Sequence, residues 1–135
     1  MTEIDWEARI REALDAFNRE DYETALRHAT DDIELRRIDT SPDSRDPIRG
    51  RDQVIEFWRP EVFEEQRAEL LELISLGDDT IITKVKFSAR GAASGLDVPP
   101  LESFVVWYLR DDKISKLAFF GVLADAERAA ESGPT

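Results

Sequence analysis

The sequence contains no cysteine and a single histidine, His28. The missing cysteines exclude disulfide bonds, thiolate metal sites and a cysteine nucleophile. A single histidine also excludes the usual metal sites that are built from several histidines. We therefore predict a protein that binds no metal and uses no cofactor.

The sequence also lacks long apolar segments and long runs of basic residues. No segment approaches the ~20 apolar residues that cross a bilayer, and the acidic N-terminus has no apolar stretch of signal-peptide length. Thirty acidic residues against eighteen basic ones give a net charge of -12. Such a charge repels phosphate backbones and anionic lipids. These features predict a cytoplasmic protein that binds neither nucleic acid nor membranes.

The size and composition fit one folded domain. Of the 135 residues, 41% are hydrophobic and 36% are charged, which gives enough apolar surface for one core but no length for a second. We predict a single domain over residues 1–135, with a frayed tail at 131–135.

Three helices are predicted in the first half of the chain. The first carries an apolar stripe that starts at Trp6, with Thr2 and Asp5 as a capping box in front of it. The second has Asp21 as its N-cap and ends near residues 30–32, and the third has Asp52 as its N-cap.

Strand-like alternation follows the second helix and fills the second half of the chain. The segment Ile33–Asp39 begins as a strand, but Arg37 occupies the position where a third apolar residue is due. Residues 40–50 are predicted to form a loop. The later strands are predicted at Gln66–Leu76, Thr80–Arg90, Leu101–Arg110 and Lys113–Gly121. Their close spacing indicates antiparallel hairpins, and a last short helix is predicted at Leu123–Glu131.

This order of elements predicts an α+β domain whose helices lie on one face of the sheet. Five short motifs then resemble the SnoaL-like branch of the nuclear transport factor 2-like superfamily. They are residues 16–22 (AFNREDY), 31–34 (DDIE), 49–54 (RGRDQV), 91–95 (GAASG) and 110–114 (RDDKI). The resemblance implies a cone-shaped fold, or cystatin-like roll, in which a strongly bent, mostly antiparallel sheet and three N-terminal helices enclose a pocket.

The superfamily includes enzymes and non-enzymatic binding modules, so the fold alone does not give the function. The oxyanion-hole acid of the ketosteroid isomerases in this superfamily falls on Glu102, but their general base falls on Arg37 and their tyrosine donor on Ala13. The residues of the epoxide hydrolases also have no counterpart here, since their positions fall on Lys84, Lys86 and Ala118. Neither known mechanism is therefore predicted.

The remaining candidate chemistry is carried by Glu102, Arg37 and Asp39. Alternation places Glu102 on the same side of its strand as Phe104, so we predict that its carboxyl faces the pocket, where desolvation raises its pKa. Arg37 is predicted to point the same way as Ile33, toward Glu102, as its partner or as an anchor for a ligand oxyanion, and Asp39 joins them. The alternative for Arg37 is that it reaches the mouth of the cone and pairs with a surface carboxylate.

Five residues are predicted to contact a ligand: Trp58, Phe104, Val106, Tyr22 and His28. The aromatic residues among them also have the spacing of ordinary core residues, and His28 also fits a partly packed helix residue without a ligand. On the opposite side of the Glu102 strand, Val105, Trp107 and Leu109 form an apolar stripe. We predict that this stripe is an outer sheet face that forms a homodimer interface.

The sequence therefore predicts a SnoaL-like protein that binds a moderately apolar small molecule, with metal-free acid–base catalysis of the isomerase, cyclase or hydrolase type as one function. The alternative is a non-catalytic ligand-binding or dimerisation module whose pocket is vestigial.

Overall fold

A computed structural model describes residues 5–37, 48–58, 63–76, 79–91 and 97–132. In these residues the elements follow in the order α1 (Trp6–Asn18), α2 (Tyr22–Ala25), β1 (Ala29–Arg37), β2 (Ile48–Arg49), α3 (Arg51–Trp58), β3 (Phe63–Ser75), β4 (Thr80–Gly91), β5 (Asp97–Arg110), β6 (Lys113–Phe120) and α4 (Leu123–Ser132). The predicted α+β class is confirmed, and so are the four later strands and the last helix.

The described strands form one curved six-stranded sheet in the order β2-β1-β6-β5-β4-β3. The strands β3 to β6 form the predicted antiparallel hairpins. Strand β1 joins these hairpins because it pairs in parallel with β6. The short strand β2 pairs in turn with β1, at Glu34 and Leu35. Strand β2 lies within the segment that the sequence predicted as a loop.

Each face of the sheet carries its own apolar core. The face that we call the helix-side face packs against α1, α2 and α3, and its buried residues include Ile33, Val85 and Trp107. The opposite face, which we call the α4 face, packs against α4 through residues such as Val106 and Ala118. The prediction that all helices lie on one face is therefore wrong for α4, which turns back onto the second face because that face is also apolar.

Two predicted helix boundaries are corrected by local backbone geometry. Helix α2 begins with Asp21 as its N-cap, as predicted, but it ends at Ala25, because the chain from His28 onward already pairs with β6. The third helix is preceded by Gly50, whose φ of 90° is a turn conformation that glycine adopts without steric cost. Because the helix starts at Arg51, Asp52 lies in its first turn rather than at the N-cap.

Strand β3 is an edge of the sheet, and α1 covers part of that edge. The side chain of Asn18, the last residue of α1, accepts a hydrogen bond from the Ala68 N–H at 2.7 Å and donates one to the Ala68 carbonyl at 2.9 Å. The amide thus bonds both backbone groups of Ala68, as a neighbouring strand would. Edge strands with unpaired backbone groups are sites of unwanted strand pairing, and Asn18 removes one such position.

Candidate functional site

The helix-side face is filled at one end. Ile10, Leu26 and Ile81 are buried there together with Trp107, which is 5% exposed. The indole N–H of Trp107 donates to the hydroxyl of Thr83 at 2.8 Å, so the polar atoms in this packed region are bonded to each other. This end of the face has the packing of a structural core.

The other end of the helix-side face carries a group of half-buried residues. It is the end at which β1 and β6 finish and β5 begins, and we call it the open end. Phe87, Ser103 and Phe119 are half-buried there. Phe17 of α1 approaches Phe87 edge-on, with ring centroids 6.5 Å apart. Half-buried aromatic residues and a hydroxyl next to a buried apolar core make this end the candidate ligand site.

The backbone register places Arg37 at the open end. Arg37 is paired with Phe119 of β6, and Phe119 is paired with Val105 of β5. Ser103 lies two residues before Val105 on the same strand and is in register with Val85. The side chain of Arg37 itself lies outside the described residues, as do Asp39 and the side chain of Trp58, so their predicted roles stay predictions.

Glu102 does not lie where the sequence predicted it. It is in register with Lys86, its side chain is 55% exposed, and its carboxylate is 3.3 Å from the ammonium of Lys84. The carboxyl therefore lies on the α4 face, exposed and beside a cation, rather than in an apolar pocket. The predicted desolvation of Glu102, which was the reason for its catalytic role, is wrong.

Phe104 and Val106 share the α4 face with Glu102. Both pack in the cluster that includes Ala126 of α4, so the prediction that they line a pocket beneath the N-terminal helices is wrong. Their positions are fixed by the pairing of β5 with β6, in which Val106 lies opposite Ala118.

The predicted dimer stripe faces the opposite way. Val105 is 4% exposed and Trp107 is 5% exposed, and both lie in the core beneath the N-terminal helices, with Leu109 packed against that core. The prediction that these three residues form an outer face is wrong, because the chain's own helices cover them. A homodimer of this protein would use another surface.

Tyr22 and His28 occupy the packed parts of α2 and the turn that follows it. Tyr22 is buried, and its ring lies edge-on to Phe17 with centroids 5.9 Å apart. His28 is half-buried, and its carbonyl accepts a hydrogen bond from the Ile114 N–H at 2.7 Å. Contact of either side chain with a ligand stays a prediction.

The environment of His28 gives a pH dependence of stability. Burial lowers the pKa of His28 below its usual 6.5, Arg9 and Arg27 lower it further, and Glu12 opposes them. The folded state therefore favours the neutral ring, and the resulting stability is present above pH 6.5 and is lost as the pH falls through the folded pKa. We expect His28→Gln to flatten the pH dependence of the free energy of unfolding between pH 7 and pH 5, measured by urea denaturation. Identical slopes in the variant and the wild type would contradict this.

The sequence reasoning missed Ser103, Phe87, Phe119 and Phe17 as site residues. The available indication was charge, since the alternating lysines Lys84 and Lys86 are expected on the solvent side of their strand. Successive side chains of a strand point to opposite faces, so Phe87, which follows Lys86, must face the helices. The position of Ser103 depends on the pairing of β5 with β4, which alternation along a single strand does not give.

Within the described residues, no three His, Asp or Glu side chains converge as metal ligands would. None of the described helices is long and apolar enough to cross a membrane. The arrangement on the helix-side face offers apolar and aromatic walls with a serine hydroxyl, which suits binding of an apolar molecule.

Comparison with solved structures supports the fold. An NTF2-like protein of unknown function from Burkholderia pseudomallei has a TM-score of 0.73 and 21% identity, over 93% of this chain and 97% of that one. TerC, co-crystallised with polyporic acid, has a TM-score of 0.71 and 19% identity, over 93% and 97% of the two chains. A Mycobacterium tuberculosis protein in complex with estradiol-17β-hemisuccinate has a TM-score of 0.72 and 14% identity, over 87% and 94%. At these identities the likeness shows the fold alone.

Sequence comparison identifies the family. None of the curated proteins matches this chain. The family model of the SnoaL-like domain matches residues 10–117, which include most of α1, all elements from α2 to β5 and most of β6. The chain therefore belongs to the SnoaL-like domain family of the nuclear transport factor 2-like superfamily.

Proposed function

We propose that this protein binds a small, largely apolar multi-ring molecule that carries an acidic group, at the open end of the helix-side face. The observation that carries the proposal is the group of half-buried aromatic residues around Ser103, next to the buried core around Trp107. Ligand sites in small domains are concave, mostly apolar and supplied with a few polar groups that orient the ligand.

Aromatic rings form the apolar walls of the proposed site. Phe87 and Phe119 come from two strands of the sheet, and Phe17 comes from α1, so the rings approach the open end from both layers. Flat ring systems gain both apolar burial and favourable stacking against such side chains. The walls thus favour a ligand with fused or linked rings over a flexible chain.

Two side chains supply the polar contacts in this proposal. The Ser103 hydroxyl both donates and accepts hydrogen bonds, and it interrupts an otherwise apolar stretch of the helix-side face. Arg37, whose backbone is in register with Phe119, is proposed to bind the acidic group of the ligand. A guanidinium forms paired hydrogen bonds with a carboxylate, which fixes the orientation of the ligand as well as its charge.

Structures of similar fold support this ligand class. One was solved with a steroid hemisuccinate and another with polyporic acid. The first of these ligands combines a multi-ring apolar body with a carboxylate at one end, which matches the aromatic walls and the arginine of the proposed site. The resemblance in sequence is low, so the support lies in the shared fold.

Binding without proton transfer is the form of the proposal that the described residues favour. Among the strand residues described on the helix-side face, from Ile33 on β1 to Phe119 on β6, none is an aspartate, glutamate or histidine. General acid–base catalysis needs such a group within hydrogen-bond reach of the reacting atom. We therefore propose a binding protein and assign it no reaction.

The proposal predicts that substitutions can separate recognition of the ligand's charge, by Arg37, from recognition of its shape, at Ser103. Quenching of fluorescence from the three tryptophans would report the affinity for estradiol-17β-hemisuccinate and for uncharged estradiol. We expect Arg37→Gln to weaken binding of the hemisuccinate about tenfold and to leave estradiol unchanged, because a charge-assisted hydrogen bond contributes about 1.5–3 kcal/mol. Ser103→Leu should weaken the binding of both ligands, because the larger side chain fills the site.

Glu102→Gln is the matched control, since Glu102 lies on the other face of the sheet. It should bind both ligands as the wild type does. The proposed site would be wrong if Ser103→Leu retained full affinity for both molecules, or if neither molecule bound to the wild type.

A further inference from the structure

The motif of residues 16–22 (AFNREDY) forms the end of α1, a tight turn and the start of α2. Glu20 has a positive φ of 61°, the left-handed conformation that commonly ends a helix. The N–H groups of Glu20 and Asp21 bond back to the carbonyls of Phe17 and Ala16, which is the pattern of a Schellman motif. Asp21 is at the same time the N-cap of α2. The motif therefore fixes where α1 ends and where α2 begins.

Asn18 ties this end of α1 to the sheet. Its side-chain amide donates to the Ala68 carbonyl at 2.9 Å and accepts from the Ala68 N–H at 2.7 Å. Ala68 is buried and is in register with Phe87 of β4. The last residue of α1 is therefore held beside the part of the sheet that carries Phe87.

Phe17, the residue before Asn18, contacts two other aromatic rings. Its centroid is 6.5 Å from that of Phe87, with an interplanar angle of 64°, and 5.9 Å from that of Tyr22, with an angle of 70°. Aromatic pairs are favourable over centroid distances of about 4.5 to 7 Å, so these contacts alone define the position of Phe17 loosely. Hydrogen bonds have a narrower range, about 2.7 to 3.2 Å for N–H donors, so the Asn18 amide defines it more closely.

Four residues thus form a closed circuit of contacts at the open end. Phe17 is bonded to Asn18 along the chain, and Asn18 is hydrogen-bonded to Ala68. Ala68 lies opposite Phe87 in the sheet, and the Phe87 ring contacts the Phe17 ring. Loss of the Asn18 link would therefore free the end of α1 to shift, and the Phe17 ring would move relative to Phe87.

We propose that Asn18 is a positioning residue for the ligand site, because its two hydrogen bonds to Ala68 set the separation between the aromatic walls Phe17 and Phe87. This inference rests on the proposed function, in which both rings contact the apolar body of the ligand. Asn18 does not contact the ligand itself, because Ala68 engages both the donor and the acceptor of its amide.

A double-mutant cycle tests whether Asn18 acts through Phe17. Quenching of tryptophan fluorescence would report the affinity for estradiol of the wild type, Asn18→Ala, Phe17→Leu and the double variant, each shown to be folded by circular dichroism. We expect each single substitution to weaken binding about fivefold, the order of one aromatic contact. In the Phe17→Leu background, Asn18→Ala should have no further effect, because the ring that it positions is absent.

Tyr108→Phe is the matched control, because it also removes a side-chain hydrogen bond to a backbone carbonyl, that of Ala129 at 3.0 Å, but on the α4 face. It should bind estradiol as the wild type does. Without ligand, the NMR cross-relaxation between the Phe17 and Phe87 rings should weaken in Asn18→Ala and stay unchanged in Tyr108→Phe. Asn18→Asp keeps the acceptor and should give an intermediate value, which remains measurable if Asn18→Ala fails to fold.

The inference alone is overturned if the wild type binds estradiol and Asn18→Ala binds it with the same affinity, or if the effects of the two substitutions are additive. Unchanged cross-relaxation between the two rings in both Asn18 variants would also overturn it, and that measurement needs no ligand. If the wild type binds neither estradiol nor its hemisuccinate, the proposed function is wrong and this inference is wrong with it.

Discussion

Trp107→Ala is expected to lower the free energy of unfolding by roughly 3–5 kcal/mol, the range observed when a large buried aromatic residue is truncated in a core. The variant leaves a cavity beneath the N-terminal helices. It also removes the indole N–H that donates a hydrogen bond to the Thr83 hydroxyl. Urea or thermal denaturation followed by circular dichroism measures the loss.

This experiment also decides which way β5 faces. If Trp107 lay on an outer dimer face, its truncation would change the oligomeric state and leave the stability of the protomer nearly unchanged. Glu102→Ala is the control on the opposite face, and we expect it to change stability by less than about 0.5 kcal/mol, as for most exposed substitutions. A loss under about 1 kcal/mol for Trp107→Ala would contradict the structure.

Asn18→Ala is expected to cost about 2 kcal/mol of stability. The substitution removes both hydrogen bonds to Ala68 and leaves a part-buried N–H and carbonyl without their side-chain partner. It also opens a position on the edge strand β3, so we expect self-association to increase with protein concentration. Denaturation measures the first effect, and light scattering at several concentrations measures the second.

Asn18→Asp provides a graded comparison, because a carboxylate can still accept from the Ala68 N–H but cannot donate to its carbonyl. We expect its stability to lie between those of the wild type and Asn18→Ala. Equal stability of all three proteins would show that the amide does not hold the edge of the sheet.

The sequence predicted the elements of this fold well because their apolar patterns are local. The stripe that starts at Trp6 identified α1, and the Asp21 N-cap marked the start of α2, where its side chain accepts from the Thr24 N–H. Alternation and turn residues located the four later strands to within a few residues. These features depend on neighbours within the same segment.

The orientation of β5 could not be predicted in the same way. Residues 104–109 are apolar at every position, because helices cover both faces of the sheet. Without a polar residue in this stretch, alternation does not show which residues face which side of the sheet. The register with β4 settles the question, since it places Glu102 opposite Lys86. The predicted orientation of β5 was wrong by one residue. The residues of the α4 face were therefore predicted to line the pocket, and those of the helix-side face were predicted to form the interface.

Contacts between distant segments account for the other differences. Strand β2 exists because Ile48 and Arg49 pair with β1, and two residues give no pattern of their own. The Asn18 amide is bonded to a residue of β3, and nothing in the neighbouring sequence of α1 indicates this. Glu34 of β1 contacts Arg49 of β2 and Lys116 of β6, and the order of these three strands in the sheet differs from their order in the chain.

The parallel pairing of β1 with β6 bears on how the molecule acquires its structure during synthesis. Glu34 meets Lys116 only after most of the polypeptide has been made, so a nascent chain must hold β1 without its parallel neighbour until β6 leaves the ribosome. Pairings between such remote segments require a loop to close before any contact is gained, which slows the folding reaction. The apolar residues Ile33 and Leu35 are buried in the folded protein, but β6 is not yet beside them during that interval, so we expect early β1 to be a contact for molecular chaperones.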